Sequence, residues 1–215
     1  MADTQPDFPL FPLPVVLLPT EVIPLHIFEE RYKTMIGQCV EEHSEFGIVW
    51  LSDDGLKDIG CTAEVAEVLE EMEDGRLNIL VRGGTPFRLV ERQEDHVYPA
   101  GMIELLGDQG ASNEDVDEQE AGGEARERYA DLLERITNER PEENSLAELS
   151  AYEMAASVEI ELDVKQGLLE LRSEEERLKL LARLFKAGIK RVEMARDIAD
   201  RASRNGKVRF GAENA

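Results

Sequence analysis

Apolar positions change their spacing along this chain. Up to about Leu106 they come in short runs rich in Val, Ile, Pro and Gly, and from about Glu124 they recur at the three- and four-residue spacing of helices. Short strands are expected at 15–18 and 22–27, with Pro19 and Pro24 pushing them towards sheet edges because proline cannot donate to a ladder. Over 29–42 the residues Tyr32, Met35, Ile36, Cys39 and Val40 form one helical stripe. A buried strand is expected at 45–52, closed by the turn Asp53-Asp54-Gly55. Residues 61–72 fit helical spacing as well, but their valines and the hairpin signal Asp74-Gly75 favour a strand. Leu77, Ile79 and Val81 alternate, Gly83-Gly84-Thr85 reads as a turn, and 86–91 and 98–105 read as two further strands.

In the second half a helix is expected over 124–138, on the stripe Tyr129, Leu132, Leu133 and Ile136. Ser145 with Glu148 fits a capping box that opens a helix to about 158. Asp163 is placed to cap a short helix at 164–171, and Ser173 with Glu176 starts the longest one, 174–203. The expected class is α+β: a β-rich lobe at 8–106, an acidic linker at 107–123 with Val116 as its one sizeable apolar residue, an α-helical lobe with a long C-terminal helix at 124–205, and a flexible tail at 206–215.

Hydrophobic residues at 42% and charged ones at 33% describe a globular chain with an ionised surface, so most of it is expected to fold. Asp and Glu number 47 against 24 Lys plus Arg, a net charge of −23 that repels nucleic acid and anionic membranes and leaves basic peptides, partly unfolded proteins and neutral ligands open. The C-terminal end of the last helix, with Lys190, Arg191, Arg196, Arg201 and Arg204, is the one basic region. The apolar block starting at Phe8 is broken by Pro9, Pro12, Pro14 and Pro19 and preceded by Asp3 and Asp7, unlike a signal peptide, so a soluble cytoplasmic protein is expected.

No catalytic constellation emerges. Gly83-Gly84-Thr85 lacks the lysine of a phosphate loop, no serine sits in a nucleophile elbow, and His26, His43 and His96 have no metal-ligand spacing. Cys39 and Cys61 read as two buried thiols. Neither a cofactor nor a metal is implied.

The opening string Phe8-Pro9-Leu10-Phe11-Pro12-Leu13-Pro14-Val15-Val16-Leu17-Leu18-Pro19, followed by Pro24-Leu25-His26-Ile27-Phe28-Glu29-Glu30-Arg31-Tyr32, resembles the start of the Lon protease N-terminal domain family. Phe46-Gly47-Ile48-Val49, Gly60-Cys61-Thr62-Ala63-Glu64-Val65, Asp74-Gly75-Arg76-Leu77 and, in the helical half, Val164-Lys165-Gln166-Gly167-Leu168-Leu169-Glu170 match in order, so the resemblance spans about 8–200. It implies a PUA-like β barrel joined to a helical bundle. It also implies a substrate-recognition module without catalytic residues, in a stand-alone bacterial form that lacks the ATPase and protease modules. The partners implied are unfolded or peptide-like protein clients. Phe28, Tyr32 and Trp50 are the aromatic candidates for the binding surface, each of which could equally be core. Small-molecule sensing and PUA-like RNA binding are the alternative functions, the latter disfavoured by charge; oligomeric state is left open.

Overall fold

The computed structural model describes residues 4–93, 96–108 and 115–205. Among the described residues there are six strands and six helices, in the order β1 (Thr4–Leu13), β2 (Val22–Ile27), α1 (Glu30–Glu42), β3 (Phe46–Ser52), β4 (Gly55–Glu71), β5 (Leu77–Gln93), β6 (Ala100–Leu105), α2 (Asp115–Thr137), α3 (Glu143–Leu146), α4 (Ala151–Ala156), α5 (Leu162–Glu170) and α6 (Glu174–Asn205). The class is α+β. The strand order is β2-β5-β4-β3-β1-β6, and β6 also pairs with β5, so five strands close into a hydrogen-bonded ring and β2 is appended to the outside of β5. Phe8, Leu10, Val49, Phe87, Leu89 and Ile103 fill one core cluster.

The chain divides into two compact units, Met1–Asp115 with Ser150–Arg177, and Val116–Leu149 with Leu178–Ala215. That division differs from the expected lobes. Helices α4 and α5 belong with the strands. Gln166 Nε2 donates to the Ile59 carbonyl at 3.1 Å and Lys165 is ion-paired with the buried Glu21. Helical periodicity reveals that a face is buried but not what it packs on. The expected linker also ends early, since α2 starts at Asp115 and Ala121 and Ala125 are already buried along its stripe with Tyr129 and Leu132. Small alanines carry that stripe, which is why it escaped a search for bulky residues. Residues 109–114 of the expected linker and the expected tail at 206–215 lie outside the described residues. In the second unit, Tyr129 meets Phe185 at 5.4 Å between centroids and both are buried.

Other departures have local causes. Residues 15–18 form no strand, although Val16, Leu17 and Leu18 are buried; the Leu18 N–H is satisfied instead by the Glu21 carboxylate at 2.9 Å. The first strand lies earlier, over the proline-rich block, with a bulge between Gln5 and Phe8. Gly83-Gly84-Thr85 is not a turn but the middle of the continuous β5, where a Cβ on Gly83 would stand 2.0 Å from the Leu18 carbonyl oxygen. These glycines permit close approach rather than chain reversal. The segment at 61–72, ambiguous by spacing, is strand as far as Glu71, within β4. The helix starts also move. Helix α5 begins at Leu162, ahead of Asp163, with Glu161 as an N-cap whose side chain makes no capping hydrogen bond.

The capping box forms at Ser150 and Glu153 rather than at Ser145 and Glu148. The Glu153 carboxylate accepts the Ser150 N–H at 2.8 Å and its hydroxyl at 2.7 Å, and these bonds hold its carboxyl below the usual range. A depressed folded-state pKa contributes stability above the unfolded value and loses it as pH falls through the folded one. Ser150→Ala is therefore expected to lower stability by about 1 kcal/mol at neutral pH, with the deficit narrowing below about pH 4 as Glu153 protonates in both proteins. Urea titrations of the two proteins across that pH range check it.

Candidate functional site

Strand β2 ends on Ile27, which is 1% exposed, so the alternation of the strand turns Phe28 outward, 60% exposed. Its ring stacks on His26 with centroids 5.9 Å apart and planes at 22°. Glu29 is the N-cap of α1 but makes no side-chain cap; its carboxylate takes Arg31 at 2.8 Å instead. The Arg31 guanidinium then lies 4.6 Å from the centre of the Tyr32 ring. Tyr32 heads the buried stripe of α1 and packs on Phe11 at 4.2 Å between centroids. Burial pushes the Tyr32 phenol up, against the opposing pull of Arg31.

These groups enclose a groove of 480 Å³. Phe11 and Tyr32 form its floor, Pro12, Leu13, Pro14, Leu51 and Pro99 its apolar walls, and Phe28, His26 and the Glu29–Arg31 pair its rim. A second depression of 660 Å³ shares His26 and runs over Pro24, Leu69 and Asn78. A polar chain crosses the sheet there. Asn78 Nδ2 donates to Glu70 at 2.9 Å, which leaves its Oδ1 towards His26 Nδ1 at 2.7 Å, so Nδ1 is the protonated nitrogen. The surface offers aromatic and aliphatic contact with a few oriented polar groups at its edge, the composition of a binding groove rather than of a reaction centre. Among the described residues no group of three His, Cys, Asp or Glu is placed to hold a metal ion, and no helix is long and apolar enough to cross a membrane.

Of the three aromatic residues singled out from the sequence, Phe28 stands at the rim and Tyr32 in the floor. Trp50 does not line the groove; it is half-buried on β3 with the Lys57 ammonium 5.4 Å from its ring centre, and its neighbour Leu51, 49% exposed, points into the groove in its place. Leu51 and the Pro12-Leu13-Pro14 wall were missed. Plain alternation after the buried Val49 would turn Trp50 outward, but the strand is irregular between Val49 and Leu51, and Leu51 is the exposed residue instead. Cys39 and Cys61 are both buried, and burial pushes both thiols up.

The β ring with an appended strand and an exposed apolar groove defines a binding module, and comparison with known proteins agrees. The model of the ATP-dependent protease La (LON) substrate-binding domain matches residues 7–187. The chain belongs to that family. Lon protease 2 of Myxococcus xanthus is 24% identical over 197 residues, covering 85% of this chain and 24% of the relative, so the chain spans about a quarter of that protein's length. Among solved structures, the Lon N-terminal domain protein from Xanthomonas campestris aligns with a TM-score of 0.61 at 24% identity, over 81% of this chain and 96% of that one. The N-terminal domain of the Mycobacterium avium complex Lon protease aligns at 0.62 with 17% identity, over 84% and 98%. These likenesses establish the fold.

Proposed function

We propose that this chain is a non-catalytic protein-binding module that captures exposed apolar side chains of unfolded or peptide-like clients in the groove beneath Phe28, and acts as an adaptor presenting them to a protease. The observation that carries the reading is Phe28, a large aromatic side chain left 60% exposed at the mouth of an apolar groove. Burying apolar surface contributes roughly 25 cal/mol per Å² with little dependence on sequence, which suits recognition of many clients. The net charge of −23 favours protein segments over nucleic acid.

Phe28→Ala tests this against a fluorescently labelled, chemically unfolded casein. Binding is expected to weaken about tenfold, with the melting temperature nearly unchanged because the side chain is exposed. Equal binding by the variant would move the site elsewhere.

A further inference from the structure

Strand β2 lies at the end of the sheet order and, among the described residues, pairs with β5 alone. The phase of that ladder decides what its other edge presents. Val22 stands opposite Arg82 and Ile23 opposite Val81, and the Gly83 N–H donates to the Glu21 carbonyl at 2.9 Å. In an antiparallel ladder bonded pairs alternate with non-bonded ones. Ile23, Leu25 and Ile27 therefore exchange bonds with β5, while Val22, Pro24 and His26 turn their backbone groups outward. Among the described residues no backbone or side-chain group bonds to those outward positions. Pro24 fits this phase, because its missing N–H costs no ladder bond at an outward position. What remains is a row of two donors, at Val22 and His26, and three carbonyl acceptors.

We propose that this edge receives an extended, lysine- or arginine-bearing segment of a client as an added β-strand, alongside the groove that holds its apolar side chains. The proposal rests on the protein-binding reading above and adds the backbone mode and the charge of the partner. Charge selects the occupant. Glu67, Glu70 and Glu71 are exposed on β4, where Glu64 already pairs with Arg82, and Glu70 reaches towards β2 through Asn78 and His26. An added strand lies about 5 Å beyond β2, and a lysine reaching back across it comes within about one Debye length, ~10 Å at 0.1 M salt, of Glu70. A second copy of this chain would bring a further −23 and its own Pro24 to the same edge, so self-pairing is opposed by repulsion and by a lost donor.

The test uses the whole chain and a short fluorescent peptide alternating Val or Phe with Lys and Thr. One version is N-methylated at every second residue and another carries Glu for Lys. Methylation removes the donors facing one edge while keeping every side chain, and is expected to weaken binding about tenfold. The Glu version is expected to lose binding, and added salt to weaken the parent peptide. Val22→Pro removes one outward donor without touching the β5 ladder, and is expected to weaken binding severalfold at unchanged melting temperature. Equal binding of the methylated and parent peptides would overturn strand addition while leaving groove capture standing. Failure of every peptide and of unfolded casein to bind would overturn both readings. Self-association abolished by Val22→Pro would assign the edge to a second copy and overturn the proposal.

Discussion

Phe87→Ala is expected to lower the unfolding free energy by about 3–5 kcal/mol, the cost of deleting a fully buried aromatic side chain and leaving a cavity. Phe87 is 0% exposed, meets Phe8 edge-on at 6.1 Å and sits among the core residues inside the strand ring. Two glycines make room for it. A Cβ on Gly47 would stand 2.6 Å from the Phe87 ring, with its other close neighbour the Leu10 side chain; a Cβ on Gly60 would stand 2.8 Å from the same ring but also 2.5 Å from the Ile48 carbonyl oxygen. Gly47→Ala should therefore be strongly destabilising in the native background and milder in Phe87→Ala, where the cavity accepts the new methyl group. Gly60→Ala should be costly in both, because backbone at Ile48 does not withdraw. Double-mutant cycles from urea unfolding measure the difference; equal coupling for the two glycines would contradict this account of the core.

Arg177→Met is expected to cost about 3 kcal/mol, seen as a melting temperature lower by roughly 6–12 °C. The Arg177 side chain is 2% exposed and donates to Glu174 and to the Leu171 carbonyl at 3.0 Å each, while also pairing with Asp108. Its guanidinium lies 4.5 Å from the centre of the Tyr152 ring, and burial pushes the Tyr152 phenol up to about 12, against the pull of Arg177, so that ring stays neutral. Removing the cation leaves Glu174, whose other oxygen accepts the Ala151 N–H at 2.6 Å, without its charge partner. Asp108 is 51% exposed and rehydrates, which limits the loss. Adding Glu174→Gln should recover part of the deficit, and Arg177→Lys should fall between, since an ammonium cannot reproduce the planar fork. Thermal melts of the three variants decide it.

How much of this was legible in the sequence depends on whether a feature is local. The α1 stripe of Tyr32, Met35, Ile36 and Cys39 and the strand at 22–27 follow from spacing alone, and the structure has both. Ser145/Glu148 and Ser150/Glu153 satisfy the same capping pattern, and spacing cannot choose between them; packing does, burying Ala151, Met154 and Ala155 on one side of the second. Tyr32 belonged to the α1 stripe from the start, and its place in the groove floor is consistent with its being core as well. Phe28 was recognisable as an aromatic residue following a strand, but the proline wall opposite comes from β1 and the residues just after it, a tertiary fact that no window contains. The outward phase of β2 depends on a hydrogen bond from Gly83, 62 positions after Glu21, and was unreadable for the same reason.

The order in which the chain visits its two units bears on how it is made. The unit that holds the strands is left at Asp115 and rejoined at Ser150, and its last residue is Arg177. Lys165 closes on Glu21 across 144 positions and Gln166 on Ile59 across 107. During synthesis at roughly 5–20 residues per second, the strand ring is complete long before α4 and α5 emerge to meet it. The face awaiting Leu168 and Leu169, both buried in the finished fold, stays open to solvent in that interval of several seconds. A nascent chain halted between 115 and 150 is then a candidate for chaperone capture.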